Sequence, residues 1–249
     1  MILLVKKSNL TLIILIFLLS IAVYSLNLGG EAEATPASSI ASLGTVVVDA
    51  GHGGEDPGKV SAYSGVNEKD LSLAIAKLLS KQLEAAGYKV IMTREEDKLV
   101  YREGTTEIFD KRKQDLTRRK EIMDNSGADI VVSIHLNDFG QSQYYGAQVF
   151  YPPESEQSKA LALNVQKALR EGVDPSNKRE ALLKSEPIVI LRNLKTPTII
   201  VECGFLSNKK EEQNLRNENY QMKIAKAIKM GIDNYFSDSI KKSEENTTE

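Results

Sequence analysis

The chain of 249 residues has one cysteine, two histidines and no tryptophan. A single thiol, Cys203, cannot close a disulfide within the chain, so an ordinary core or a metal must stabilise it. Without tryptophan, and with 6% aromatic residues, an aromatic platform for stacking sugars is disfavoured, although nine tyrosines leave material for one. Charge of one sign is scarce as well: 32 basic against 34 acidic side chains leave a net charge of −2. That balance excludes an electrostatic grip on nucleic acid as the main activity. A hydrophobic content of 41% excludes bulk disorder. What remains is one folded domain with tails.

Only one long apolar run exists, residues 10–28, preceded by Lys6 and Lys7 and followed by Ala32-Glu33-Ala34. Charge, then an apolar stretch, then small-x-small is the order of an export signal. Cleavage after Ala34 would leave the net charge unchanged, because Lys6 and Lys7 depart with Glu31 and Glu33. The run also reaches the roughly 17 to 20 residues that can span a bilayer, so an uncleaved anchor is the alternative. Residues 1–34 are therefore expected to be a signal peptide or membrane anchor, with the remainder exported and touching the membrane only through this segment. Residues 35–44, with Pro36 and three serines, read as a linker.

From Thr45 strand-like and helix-like segments alternate, which predicts an α/β layer fold in a single domain. Six strands are expected, at 46–48, 88–92, 130–135, 147–151, 188–191 and 198–202, and four helices, at 67–86, 115–126, 154–171 and 208–236. Residues 94–113 are dense in charge without a steady period and read as a long surface loop. Residues 237–249 read as a frayed polar tail. No internal repeat or appended binding module is visible.

With so few histidines, their placement matters. His52 follows the first strand in Asp49-Ala50-Gly51-His52-Gly53-Gly54, and His135 closes the strand Val131-Val132-Ser133-Ile134-His135. In an open α/β sheet the carboxyl ends of strands are where ligands bind. A zinc site takes about three protein ligands and, if catalytic, keeps a position free for water. Glu68, in the first turn of the helix after the histidine loop, completes a set of two histidines and one glutamate for one Zn²⁺ ion. Glu202 ends the apolar run Thr198-Ile199-Ile200-Val201. A carboxyl group there loses hydration, which raises its pKa toward the range useful for moving protons near neutrality.

Each residue taken singly has a plainer explanation. A histidine after a strand is commonly a structural hydrogen-bonding group, and Glu68 suits the dipole of a helix amino terminus. Cys203 reads as small and buried rather than nucleophilic. Jointly, the four groups at one sheet edge point to metal-assisted hydrolysis. Gly53-Gly54-Glu55-Asp56-Pro57-Gly58-Lys59 matches G-x-x-x-x-G-K, but Val60 stands where Ser or Thr would hold magnesium, and Glu55 and Asp56 would repel phosphates. Nucleotide binding is excluded on that ground. No G-x-S-x-G is present, so a serine hydrolase has no nucleophile elbow.

Four segments together, Val46-Val47-Val48-Asp49-Ala50-Gly51-His52-Gly53-Gly54, Asn67-Glu68-Lys69-Asp70, Ser133-Ile134-His135-Leu136-Asn137 and Val201-Glu202-Cys203-Gly204-Phe205-Leu206-Ser207-Asn208, resemble the zinc-dependent N-acetylmuramoyl-L-alanine amidases of the type 3 family. The likeness spans about residues 45–236. It implies a twisted, mixed but mostly parallel six-stranded sheet flanked by helices, zinc on His52, Glu68 and His135, and Glu202 as the catalytic acid. It further implies cleavage of the amide between the lactyl group of N-acetylmuramic acid and L-alanine in peptidoglycan. Within the family, Met92-Thr93-Arg94-Glu95 and Lys111-Arg112-Lys113 resemble the germination-specific spore cortex amidases (CwlD type), which strip stem peptides so that muramic-δ-lactam can form. A vegetative wall autolysin is the rival within the family. A non-catalytic wall-binding domain and a zinc peptidase or deacetylase are the rivals outside it.

The chain departs from the family at Leu136, Asp138 and Lys59, none of which is a metal-ligand position. About ten residues separate Asn137 from the next strand, too few for the helical insertion that blocks the metal in regulated relatives. Asn137 and Arg192 are candidate substrate contacts. The lack of a targeting module suggests an exported accessory or activator protein.

Overall fold

The computed structural model describes residues 14–21, 42–184, 188–193 and 195–245. Most of the expected export segment, the first part of the linker and the last four residues of the tail lie outside the described residues. Residues 14–21 are helical. Among the described residues no helix is long and apolar enough to cross a membrane. The chain divides into two units, 1–41 and 42–249, and the second contains the whole sheet.

Six strands form one sheet: β1 (Thr45–Ala50), β2 (Lys89–Met92), β3 (Ile130–Asn137), β4 (Gln148–Tyr151), β5 (Leu182–Leu183) and β6 (Thr198–Phe205). Their order is β2-β1-β3-β6-β4-β5. All neighbours run parallel except β4 and β6. The helices are α1 (Glu68–Ala85), α2 (Ile108–Asn125), α3 (Glu156–Gly172), α4 (Lys209–Leu215) and α5 (Glu218–Glu245). The sheet is the mostly parallel α/β layer expected.

Side chains alternate across the pleat, so each central strand serves two layers. Val46, Val48, Ile130, Val132, Ile134, Ile199 and Val201 join residues of α1, α3 and α5 in the larger core. Val47, Val131 and Ile200 face the other way, with Met123 of α2 and with Ile190 and Leu191. His135 pairs in register with Glu202, and the register shifts between His135 and Asn137, a bulge at the end of the shared ladder.

Four local expectations change. Residues 188–191 are not a strand: Val189–Leu191 is a 3-10 turn, and the sixth strand is Leu182–Leu183 on the edge. A short apolar run bounded by turn residues has no period to separate these outcomes. Helix α2 starts at Ile108, inside the segment read as loop. Its buried positions are Asp115, Arg119 and Met123, so its inward stripe is largely charged and shows no apolar period. The segment read as one helix from 208 is two, α4 and α5, and α5 continues to Glu245 through most of the polar tail.

Candidate metal centre

The site starts with the loop after β1. Gly51 N–H donates to Ile134 O at 3.0 Å, tying the loop to β3. A side chain at Gly51 would collide with the His135 ring, so only glycine allows the two to meet. His52 then turns the chain with φ of 61°, a left-handed conformation costly for a non-glycine residue. Two buried guanidinium groups hold it there. Arg94 donates to the carbonyls of Ala50 and Gly51, each at 2.9 Å. Arg119 donates to the carbonyls of Ala50 and His52.

Glu68, the first residue of α1, is 2% exposed and its carboxylate is fixed by two backbone donors. Lys59 N–H reaches Oε2 at 2.9 Å and Leu136 N–H reaches Oε1 at 3.0 Å. Glu68 Oε1 lies 2.9 Å from His135 Nδ1 and 3.2 Å from His52 Nε2. One ligand atom from each of His52, Glu68 and His135 lies within 4.8 Å of the others, a group that could hold a metal ion. Two imidazoles and a carboxylate are a donor set suited to zinc.

His52 Nδ1 lies 2.8 Å from Asp56 Oδ2, and Asp56 Oδ1 is 2.6 Å from Arg112 Nη2. A carboxylate on Nδ1 favours a proton there, so that Nε2 is the nitrogen that would be free to bind a metal beside Glu68. Burial alone would lower the pKa of His52, but hydrogen bonds and charge from Asp56 and Glu68 raise it to about 9 among the protein groups. Burial works in the opposite sense on Glu68, and the two histidines outweigh it, holding this carboxyl well below the usual range.

Glu202 stands beside His135 in the ladder. The strand runs three residues past it, so the acid sits within β6 rather than at its end. Oε2 of Glu202 is inaccessible and has no hydrogen-bond partner among the described residues. Burial is the largest cause raising its pKa to about 7, with the Glu68 charge adding to it against the histidines and Lys184. Beneath the site, Asp49 accepts from Thr93 Oγ1 at 2.5 Å and from Ser133 Oγ at 2.6 Å, with Arg119 Nη1 at 3.3 Å.

The chain matches the N-acetylmuramoyl-L-alanine amidase family over residues 46–234. A germination-specific N-acetylmuramoyl-L-alanine amidase of Bacillus subtilis is 33% identical over 78% of this chain and 80% of that protein. The CwlD amidase of Clostridioides difficile, solved in complex with the GerS lipoprotein, is 45% identical, covers 78% of this chain and 98% of its own, and superposes with a TM-score of 0.76. An N-acetylmuramoyl-L-alanine amidase from Clostridium difficile 630 is 33% identical over 78% of this chain and 96% of its own, with a TM-score of 0.68.

This chain belongs to the N-acetylmuramoyl-L-alanine amidase family. The amidase acts on peptidoglycan, at the amide that names the family. Two cavities meet at the metal group. A more sheltered one of about 250 Å³ lies under α2 and the 3-10 turn. A more open trough of about 350 Å³ is lined by Gly58, Lys59, Asn137 and Asp138. Asn137 is therefore at the site. Arg192 is not: it is exposed and lines a third cavity with Pro152 and Pro197 at the opposite end of β6, which among the described residues shares Ile188 with the sheltered one. Between β3 and β4, residues 138–147 contain no helix.

Sequence reasoning misses the supports of the amidase site. It treats Asp56 only as a charge opposing phosphate, yet a carboxylate four residues past His52 in a tight loop is a usable signal. The buried Arg94 and Arg119 give no sign of their structural role, since nothing local separates a buried arginine from a solvated one.

Proposed function

We propose that the amidase holds one zinc ion on His52, Glu68 and His135 and uses it to hydrolyse the bond between the lactyl group of N-acetylmuramic acid and L-alanine. When bound, zinc supplies Lewis acidity, which polarises an amide carbonyl and makes water a stronger acid. Glu202 takes the proton from the attacking water and delivers it to the departing alanine nitrogen, a task suited to a carboxyl group whose pKa is about 7. Asp56 and Arg112 keep the His52 ring turned toward the ion. Ile188, Ile190 and Ile200 keep bulk water from the Glu202 side of the site. Asn137 offers its amide to substrate in the trough. The observation that carries this reading is the orphaned Oε2 of Glu202, a residue that lines the same two cavities as His52 and His135 of the metal group.

The likeness to a germination-specific amidase and to CwlD supports work in the spore cortex, after export by way of residues 1–34, with a polar tail at 237–249. That the CwlD structure contains a lipoprotein supports an exported accessory protein for this chain too. Digestion of cortex peptidoglycan with purified, zinc-loaded protein should release stem peptides with a free L-alanine amino terminus, identified by mass spectrometry. Cleavage inside the peptide or loss of acetate would replace this reading with a peptidase or a deacetylase. Full activity on cortex without any second protein would remove the accessory partner. Muramic-δ-lactam should vanish from spores of a deletion strain, whereas retained lactam with altered vegetative walls would favour an autolysin.

A further inference from the structure

The two cavities at the metal group differ in form while sharing a wall. The more sheltered one has Leu99, Leu116, Ile188, Ile190 and Ile200 in its lining. The open one is polar at Lys59, Asn137 and Asp138. His52, Asp56, Arg112, His135 and Glu202 line both, so the metal group stands where the two meet. Peptidoglycan has a matching asymmetry. Its amide joins a peptide branch to a glycan strand that continues in both directions. A continuous strand needs the more open trough, whereas a branch can enter the narrower, more sheltered space end first.

We propose that the sheltered cavity is the peptide subsite, that the trough carries the glycan, and that Arg112 reads a carboxylate on the second residue of the peptide branch. This deepens the amidase reading and rests on it. Arg112 stands at the boundary with its side chain 44% exposed. Its Nη2 is 2.6 Å from Asp56 Oδ1, and Asp56 Oδ2 is 2.8 Å from His52 Nδ1, so the guanidinium is two contacts from a ring of the metal group. An extended residue advances about 3.5 Å, which brings the second residue of a branch within reach of that guanidinium. A planar fork of five N–H donors can keep Asp56 on one edge and take a second carboxylate on another. The other arginine in the lining, Arg119, is 2% exposed and already engaged by Asp49, Asp115 and two carbonyls. The recognised chemistry is therefore an anionic peptide branch of a muramyl glycan.

The test compares muramyl peptides that differ only in bearing a free carboxylate or a carboxamide on the second residue. Zinc-loaded Glu202→Gln protein is titrated calorimetrically, so that binding is read without turnover. The carboxylate form should bind about tenfold tighter or better, the size of a lost hydrogen bond to a charged group. Adding Arg112→Gln should bring the ratio near one, and Arg112→Lys should keep part of it. With Glu202 present, the same ratio should appear in kcat/KM, mostly through KM. Bound zinc is measured in every variant, because removing Arg112 also unbraces Asp56. If Arg112→Gln loses zinc, the ratio in the protein with Arg112 present and in Arg112→Lys decides. A ratio of one where Arg112 is present overturns the proposal, and so does a ratio that survives Arg112→Gln or an absence of binding to both peptides. Selective binding without turnover would instead strike the catalytic role of the site. Filling the sheltered cavity with Ile188→Trp should weaken the muramyl peptide about tenfold while sparing peptide-free glycan. Equal loss on both ligands would overturn the assignment of the two cavities.

Discussion

On one face of the central strands, Val46, Val48, Ile130, Val132, Ile134, Ile199 and Val201 are all fully buried in the larger core. On the other face, alternate positions of the same three strands carry Asp49, Ser133, His135 and Glu202. The first face asks only for apolar volume in the right period, and many sequences meet that demand. The second buries charge, which is costly unless each group finds a partner. Burial would raise the pKa of Asp49, yet Arg119, Ser133 and Thr93 together drive it below the usual carboxylate range. Glu202, with no such partners, goes the other way, to about 7. Two buried acids on this face thus end in opposite states, one a fixed anion and the other ready to exchange a proton.

The sharpest way to break this contrast is at Glu202. Glu202→Gln should lower kcat by about 10²- to 10⁴-fold while bound zinc and the unfolding midpoint stay near those of the parent. Unchanged turnover would remove Glu202 from proton transfer. A pair of substitutions compares the faces directly. Leu79→Ala in the apolar layer should cost about 2 to 5 kcal/mol in urea unfolding, with little dependence on pH. Asp49→Asn should cost about 3 to 5 kcal/mol near neutrality, because it strands Arg119. A carboxyl group with a lowered folded pKa stabilises above its unfolded value and loses that contribution as pH falls through the folded one. The gap between Asp49→Asn and the parent should therefore close as pH drops below about 4. A gap independent of pH would mean that Asp49 is not the anion described. A smaller effect is expected at Asp56. Asp56→Asn should weaken zinc binding about 10- to 100-fold with little change in fold, read by competition with a chelator. Unchanged affinity would show that His52 needs no orienting partner.

The same contrast explains what could be read from the sequence. Strands β1, β3 and β6 announce themselves because runs such as Val46-Val47-Val48 and Ile130-Val131-Val132 are apolar on both faces. Helix α1 shows its period through Leu71, Ile75, Leu79 and Leu83, and Gly87 marks its end. Helix α2 stays hidden over its first two turns, since its inward residues include Asp115 and Arg119 while Ile108 and Phe109 are 40% and 73% exposed. Leu182 and Leu183 are exposed on an edge strand, where no alternation is required. At the site, His52, Glu68, His135 and Glu202 stand out because histidine is rare here and an acid after Ile-Ile-Val needs a reason. Their supports do not, because charged residues make up 27% of the chain and only tertiary pairing tells Arg94 or Arg119 from a solvated side chain.

X-ray absorption at the zinc edge of the purified protein tests most directly whether His52, Glu68 and His135 share one ion. The spectrum should show two imidazole nitrogens and carboxylate or water oxygens at about 2.0 to 2.2 Å, with one zinc per chain. A sulfur neighbour near 2.3 Å, a shell without imidazole scattering, or no retained zinc would contradict it.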